Sequence, residues 1–320
     1  MGGTLFAGKA RWRPLETAFW AAAFAAYVFL PRSSLILNEI AILALFALSL
    51  DLVLGYAGIV SLGHAAFLGF GAYAAGLFAK HVNADPLLGL AAAGALTAVL
   101  GYASSFLVMR GNDLTRLMVT LGVATLLGEL ANSWASLTGG ADGLQGIEMK
   151  PLLGLFRFDI AGRTAFAYSL TVLFLLFLIA RRIAHSPFGL SVQAIRDNPL
   201  RAAAIGIPVR KRLSAVYTLA AAYAGIAGAL LAQTAQFVSL DVLELHRSAD
   251  VMLVLIIGGA GYLYGGIIGA IGFKFLQDWL AQLTPQYWQF WVGLFLVVFV
   301  LAGRERMAGG LAALWRRFRQ

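Results

Sequence analysis

The sequence predicts an all-α fold: a polytopic integral membrane helix bundle of about ten transmembrane spans, with a possible internal repeat. The 320 residues are 60% hydrophobic and 12% charged, whereas soluble chains carry about 25% charged residues. Apolar segments near the ~20 residues that cross a bilayer recur along the chain. The basic residues, which give a net charge of +9, cluster between these segments and near both ends. That pattern is typical of cytoplasmic loops and does not favour nucleic-acid binding.

Ten apolar segments account for the predicted spans. They cover residues 15–31, 36–55, 59–79, 87–109, 115–137, 164–181, 213–236, 249–259, 265–283 and 288–302. The connection at 185–212 is rich in arginine, which places it in the cytoplasm by the positive-inside rule. Counting spans in both directions puts both termini in the cytoplasm and residues 138–162 and 240–250 outside. The short segment 249–259 decides the count, because a re-entrant segment there would change it.

A glycine-rich stretch at residues 51–76 interrupts the apolar pattern with six glycines. Glycine in a helix interior costs about 1 kcal/mol relative to alanine, so the stretch predicts a broken span or very close helix packing. Ser61 and His64 lie among the glycines. Polar groups beside irregular backbone at membrane depth indicate a transport pathway. A hydrogen-bonded histidine that only packs helices together is the alternative for His64.

A second stretch, residues 255–275, repeats this glycine pattern 203 positions later without gaps. Gly58 then falls on Gly261 and Gly63 on Gly266. Internal duplication with the substrate route between the repeats is common in transporters, while a chance match between glycine-rich segments is the alternative. If the repeats flank a passage, bulky side chains at these four glycines should block it, and alanine should be tolerated.

Glu129 lies deepest among the ionisable residues of the apolar segments, within residues 115–137. A charge at the bilayer centre costs about 2.5–3.5 kcal/mol on insertion scales, so it implies a partner or a cavity. A packed structural pair and a residue of the substrate pathway are both open. Asp51 and Lys274 lie nearer to span ends, where structural or snorkelling roles are favoured.

The cytoplasmic connection predicts two short helices. Ser186 caps a helix with Pro187 at its first position, and Asn198 with Pro199 repeats that signal before Gly206 ends the second helix. One face of the first helix holds Phe188, Val192 and Ile195, and the other holds Gln193, Arg196 and Asp197. A docking element for a cytoplasmic partner is predicted. An amphipathic segment lying on the lipid surface is the alternative.

No catalytic or metal site is expected in this chain. The match to a phosphate-binding loop at residues 3–10 lacks the Ser or Thr that binds magnesium, and no strand precedes it. The chain has no cysteines, and its four histidines show no metal-ligand spacing. We therefore expect no cofactor here, and any ATP must be bound by other subunits.

Five motifs carry a resemblance to a known family. They are SLGHAAFLGFGAY (61–73), TGGADGL (138–144), SPFGLSVQAIRDNP (186–199), AIGI (204–207) and IGGAGYLYG (257–265). In this order they resemble the LivM-like permease subunits of bacterial ABC importers for branched-chain amino acids, from about residue 36 to 302. The chain departs from the family at Asp51, where asparagine is frequent. Related permeases for urea, amides or other amino acids share much of the pattern.

The resemblance implies an inner-membrane heterodimer with a sister permease, two cytoplasmic ATPases and a periplasmic substrate-binding protein. It also implies that residues 186–207 are the segment that couples to an ATPase, through Phe188, Gln193, Ile195, Arg196, Asp197, Asn198 and Pro199.

Together these inferences predict one permease domain over residues 1–320 that moves a small amino acid inward by alternating access. An ion-coupled secondary transporter acting alone and a facilitative channel are the alternatives. A two-helix cytoplasmic element is not expected of the secondary transporter, and the channel would transport without nucleotide.

Overall fold

The computed structural model describes residues 14–159 and 161–283, together with the single residues 285, 287, 290, 291, 293, 294 and 297. Regular structure in these residues is helical. The paired extended residues found among them form the isolated bridges Leu144–Val238 and Leu152–Phe156. The predicted all-α class is therefore confirmed for the described part of the chain.

Twelve α-helices lie within the described residues. They are α1 (Pro14–Phe29), α2 (Ser34–Asp51), α3 (Ala65–His81), α4 (Pro86–Val108), α5 (Asp113–Ser133), α6 (Ala135–Thr138), α7 (Arg163–Ala184), α8 (Pro187–Asp197), α9 (Pro199–Ala204), α10 (Val209–Ala235), α11 (Leu245–Gly258) and α12 (Leu263–Leu283). A π-helical turn, Leu52–Tyr56, extends α2, and 3-10 turns cover Pro31–Ser33, Gly140–Asp142 and Leu240–Leu243.

Five helical stretches of the described chain are long and apolar enough to cross a membrane. They are Pro31–Tyr56, Pro86–Val108, Asp113–Ser133, Arg163–Ala184 and Val209–Ala235. Helices α11 and α12 pass the same test only as a pair, bent by 110° at the short break between them. The predicted segments 249–259 and 265–283 thus form one bent pair, a broken span or a re-entrant loop. The count of ten stays a prediction, and most of segment 288–302 lies outside the described residues.

Local signals explain where several helices begin. Asp85 accepts the backbone N–H groups of Leu87 and Leu88 at the start of α4, and Asn112 accepts that of Thr115 at the start of α5. These caps satisfy N–H groups that a helix leaves without an internal partner. The third predicted segment is corrected: its helix begins at Ala65, six residues later than predicted, because residues 59–64 follow a glycine turn and are not helical.

Helix α10 is central and packs against α3 and α4. Its middle is built largely from alanine and glycine, which allows backbones to approach closely. A Cβ built on Gly228 would lie 1.9 Å from the Leu68 carbonyl oxygen, and one built on Gly71 would lie 2.3 Å from Gly225 Cα. Helices in lipid associate through such van der Waals packing of small residues.

Buried polar side chains also connect the helices around α10. Ser169 Oγ donates to Asn38 Oδ1 at 2.6 Å, and Asn38 Nδ2 donates to Thr234 Oγ1 at 3.2 Å, so that α7, α2 and α10 are linked. Gln233 Nε2 donates to the Pro86 carbonyl at 2.8 Å and links α10 to α4. Hydrogen bonds of this kind between membrane helices contribute about 0.6–2 kcal/mol each.

The connection at 138–162 is ordered against the helices, as its glycine-rich turns predict. Leu144 pairs with Val238 through two backbone hydrogen bonds, and the buried Ile147 lies close to Gly76. The connection at 240–250, predicted to lie outside, is partly buried against the bundle: Leu243 is 5% exposed and packs on Gly69, whereas Leu245 is 48% exposed. Its placement outside stays a prediction.

The chain divides into two compact units, Met1–Ala270 and Ile271–Gln320, with the division falling inside α12. In the second unit, Lys274 Nζ lies 3.5 Å from Asp278 Oδ1, one helical turn away. The charge of Lys274 is therefore balanced by a carboxylate on the same helix.

Candidate functional site

The first glycine stretch breaks its span at Gly58. After the π-helical turn, Gly58 takes a φ of +70°, and the N–H of Ile59 returns to the Val53 carbonyl at 2.9 Å. Only glycine adopts such a left-handed backbone without steric cost. When helical structure resumes, the Ala65 N–H donates to Ser248 Oγ of α11 at 2.9 Å.

The second glycine stretch breaks in the same way between α11 and α12. Gly259 and Gly261 have φ values of +100° and +80°. A Cβ built on Gly258 would lie 1.8 Å from the Gly265 carbonyl oxygen, so the two helix ends touch across the break. Gly58 and Gly261, which the sequence comparison aligned, are thus both left-handed glycines at a break.

Asp51 joins the two breaks. Its side chain is completely buried, and Oδ1 accepts the backbone N–H of Gly261 at 2.6 Å. A Cβ built on Gly55 would lie 2.3 Å from the Gly261 nitrogen, so the backbones themselves are in contact. A buried carboxylate is costly unless it is hydrogen-bonded or paired; this hydrogen bond holds the end of the first span against the second break.

Arg196 reaches this junction from α8, in the connection at 185–212. Its Nη1 donates to the Gly55 carbonyl at 2.5 Å, and a Cβ built on Gly58 would lie 2.7 Å from its Cγ. Nη1 also lies 3.3 Å from a Cβ built on Gly261, and the guanidinium is close enough to Asp51 for electrostatic attraction. One side chain of α8 therefore contacts both breaks, and we call these five residues the glycine junction.

The glycine junction can transmit movement. Because Arg196 carries a charge and donates to a carbonyl in the first break, a shift of α8 must either move that backbone or break a charge-assisted hydrogen bond. Asp51 then connects the same backbone to Gly261. The two breaks and helix α8 are thereby connected by hydrogen bonds and close contacts.

Comparison with known proteins identifies the chain's relatives. Residues 33–302 match the model of the family described as "Branched-chain amino acid transport system / permease component". The chain belongs to this permease family. The recognition from five motifs is therefore confirmed, and membership makes the protein a transporter component instead of an enzyme.

Two curated relatives of the permease are named LivM, the high-affinity branched-chain amino acid transport system permease protein. The Escherichia coli (strain K12) protein is 27% identical over 248 residues, and the Salmonella typhimurium protein is 28% identical over 249 residues. Each alignment covers 71% of this chain and 58% of the relative. The fructose import permease protein FrcC of Rhizobium meliloti is 26% identical over 278 residues, covering 83% of this chain and 76% of FrcC. No solved structure matches the chain.

The predicted coupling segment of the permease forms the two expected helices. Ser186 Oγ accepts the Gly189 N–H and Asn198 Oδ1 accepts the Arg201 N–H, which confirms both caps. Gly206 follows with a φ of +85°. Within α8, Ile195 is buried and the ring of Phe188 packs under the Arg212 guanidinium, whose carbon lies 5.2 Å from the ring centroid.

Of the remaining predicted coupling residues, Gln193 contacts another helix of this chain and the other three are exposed. Gln193 Nε2 donates to the Ala184 carbonyl at 3.4 Å, which holds α8 against α7. Asp197, Asn198 and Pro199 are exposed where α8 passes into α9. Asp197 Oδ1 accepts from the Arg196 guanidinium at 3.2 Å.

Ser61 and His64 lie inside the packed bundle. His64 is fully buried, its Nε2 lies 2.8 Å from Ser49 Oγ, and its ring stacks on Phe46 at 5.5 Å. Ser61 is 1% exposed, and its hydroxyl has no hydrogen-bond partner among the described residues. In this conformation His64 packs helices together, which was the alternative interpretation from the sequence.

The other predicted pathway residues do not gather at the glycine junction. A Cβ built on Gly63 would lie 1.9 Å from the Thr120 carbonyl oxygen of α5, and one built on Gly266 would lie 3.2 Å from Ala47 on α2. The expected tolerance of alanine is therefore wrong at Gly63, where a backbone atom occupies the space. Glu129 is exposed on α5.

Reasoning from the sequence alone missed four functional candidates. Gly55 was not singled out, although it follows Asp51 by four residues and so shares its helix face. Asp51 was given a structural role, and its bond to Gly261 has no signal in the sequence. Leu200 and Ile205, exposed at 83% and 71%, were also missed, although apolar residues in a basic loop could have indicated a docking surface.

Proposed function

We propose that this chain is a transmembrane permease subunit of an ABC importer that moves branched-chain or related small amino acids inward by alternating access. Its partners are a sister permease, two cytoplasmic ATPases and a periplasmic substrate-binding protein. ATP is bound by the ATPases. The chain spans 58% of the length of the LivM relatives it matches, and the names of those relatives support the substrate class.

The observation that carries this proposal is that the coupling segment exposes apolar side chains on one side and contacts the glycine junction on the other. Leu190, Leu200 and Ile205 of α8, α9 and the following turn are exposed at 40%, 83% and 71%. Large apolar side chains exposed together between charged residues favour a protein partner. On the other side, Arg196 reaches both glycine breaks. A transporter that acts alone has no use for such a docking surface.

The proposed mechanism is a population shift. ATP binding closes the ATPase pair and thereby favours one position of α8 and α9. The hydrogen bond of Arg196 to Gly55 couples that position to the glycine junction. The junction in turn favours one of two packings of the broken helices, open to the inside or to the outside. A shift from 1:99 to 99:1 between two such states needs about 5.5 kcal/mol of differential binding, which nucleotide binding to two ATPases supplies.

The proposed topology has ten spans in the bacterial inner membrane, with both termini in the cytoplasm and one permease domain over residues 1–320. Contacts between segments distant in the sequence support the sides of the membrane that the distribution of basic residues assigns to them. They are Leu144 with Val238 outside, and Glu16 with Arg181 and Gly55 with Arg196 inside. The aligned left-handed glycines support an internal repeat, although the first break covers residues 57–64 and the second only 259–262.

Cysteine labelling tests this topology, since the chain has no native cysteine. Gln145→Cys and Val82→Cys lie in two different connections predicted to be outside, and both positions are exposed. We expect both to react with an impermeant maleimide in intact cells, and Arg210→Cys, at an exposed position of the connection predicted to be inside, to react only after permeabilisation. Labelling of Arg210→Cys in intact cells would overturn the assignment of sides.

Reconstitution tests the function. The permease, its sister subunit and both ATPases are placed in proteoliposomes with the binding protein and radiolabelled leucine. We expect uptake that needs ATP and stops when either ATPase or the sister subunit is left out. Uptake by this chain alone under an ion gradient would support a secondary transporter, and uptake without nucleotide would support a channel. Because FrcC is named for fructose, competition by unlabelled fructose is the specificity control.

A further inference from the structure

Helix α5 is the least covered of the long apolar helices in the described chain. Only 11% of its apolar stretch is buried, against 33% for α4 and 50–78% for the others. Its inner face consists of Thr120, Ala124 and Ala131, which are buried against the bundle. The opposite face is open to the surroundings, and a Cβ built on Gly122 would meet nothing within 4 Å.

The open face of α5 carries polar and small residues that do not suit contact with lipid. Gly122, Thr125, Glu129 and Asn132 follow one another at helical spacing along it, beside Met118 and Leu126. Glu129 has no hydrogen bond or ion pair with another described residue. Glu129 lies one turn before the end of α5 at Ser133, and a carboxylate within a membrane helix is expected to face protein or water, not hydrocarbon.

Helix α4 shows what a lipid-facing surface of this chain looks like. Its exposed face consists of Leu96, Val99, Tyr102 and Phe106, exposed at 49%, 67%, 53% and 53%. These bulky side chains are apolar or, for tyrosine, amphipathic. The contrast between two neighbouring helices of the same bundle indicates that the α5 face is covered by something other than lipid.

We propose that the face of α5 formed by Gly122, Thr125, Glu129 and Asn132 docks the second permease subunit, a different chain that presents a cation or hydrogen-bond donor at the depth of Glu129. The small residues let a partner helix approach closely, and Thr125 and Asn132 offer further polar contacts. This inference rests on the proposed function, because it takes the partner to be a permease.

Charge decides between a different chain and a second copy. Two copies related by an axis along the membrane normal would place their Glu129 side chains at the same depth on facing helices. Like charges opposed in a membrane interface repel, and these four face residues include no cation to balance them. A distinct subunit with a complementary group removes that conflict.

Photo-crosslinking in native membranes tests the surface. A small alkyl diazirine is attached through a disulfide to Thr125→Cys, or to Val99→Cys as a control of nearly the same side-chain shape on the α4 face. Irradiated adducts are identified by mass spectrometry. We expect Thr125→Cys to yield an adduct with a second, different polytopic permease chain, and Val99→Cys to yield none. An adduct with another copy of this chain, no protein adduct at Thr125, or equal adducts at both sites would overturn the proposal.

Co-purification of the two permease subunits gives a second test of the interface. Thr125→Trp should lower co-purification of the crosslinked permease at least tenfold, because the ring fills the space of a partner helix, while Val99→Trp leaves it unchanged. Co-purification unaffected by Thr125→Trp would also contradict the proposal. The proposed function is judged separately by ATP-dependent uptake of the unmodified complex. If that uptake is present and Thr125→Cys gives no permease adduct, the interface is wrong and the function stands.

Discussion

Replacing Gly58 with valine is expected to reduce ATP-driven uptake at least tenfold while the permease still inserts into the membrane. Gly58 has a φ of +70°, and a Cβ there would lie 2.7 Å from Arg196 Cγ. A non-glycine residue in this left-handed conformation costs about 1–2 kcal/mol, and a β-branched one is a genuine outlier. Arg196 must also move, so its bond to the Gly55 carbonyl is lost. Uptake and ATP hydrolysis are measured in the same proteoliposomes.

The matched variants separate backbone strain from added bulk. Gly58→Ala carries the same backbone strain with less bulk and should fall between the wild type and Gly58→Val. Gly261→Val, at the aligned position with a φ of +80°, should resemble Gly58→Val. Gly272→Val is the control, because nothing lies within 4 Å of a Cβ there. Wild-type uptake by Gly58→Val would show that the first break plays no part in transport.

Reversing the charge of Arg196 is expected to uncouple hydrolysis from transport. Arg196→Glu would place a carboxylate beside the Gly55 carbonyl oxygen and near the buried Asp51 carboxylate, which already accepts the Gly261 N–H. Two carboxylates would then lie close together after the positive charge between them is lost. We expect uptake to fall more than tenfold. ATPase association should remain, because Leu200 and Ile205 stay exposed for docking.

Asp113→Lys is the control for Arg196→Glu. The Asp113 side chain is 78% exposed and lies outside the coupling segment, and it pairs with Arg116, so uptake should stay within about twofold for an exposed pair. Leu200→Glu should instead reduce ATPase association, as measured by co-purification. If Arg196→Glu retains coupled transport, the glycine junction does not carry the signal from the ATPases.

Much of the local structure could be predicted because its causes are local. Ser186 and Asn198 cap helices through N–H groups three residues away, and Pro187 and Pro199 suit the first position of each. Hydropathy predicted the long helices to within a few residues at most ends. The glycine stretches predicted broken spans, since the cost of glycine in a helix is a property of the residue itself.

The sequence by itself determined the family, the all-helical class, the coupling helices and the two breaks. Only the tertiary structure decided which residues meet at them. Asp51 and Gly261 are 210 positions apart, and Arg196 and Gly55 are 141 apart. Whether a carboxylate finds a distant N–H depends on how α2 and α8 pack against the central α10 and on how α11 packs against α2. No pattern within one segment encodes that. The burial of Leu243 and the outward position of Glu129 were decided in the same way, because burial is a property of the neighbours a side chain acquires.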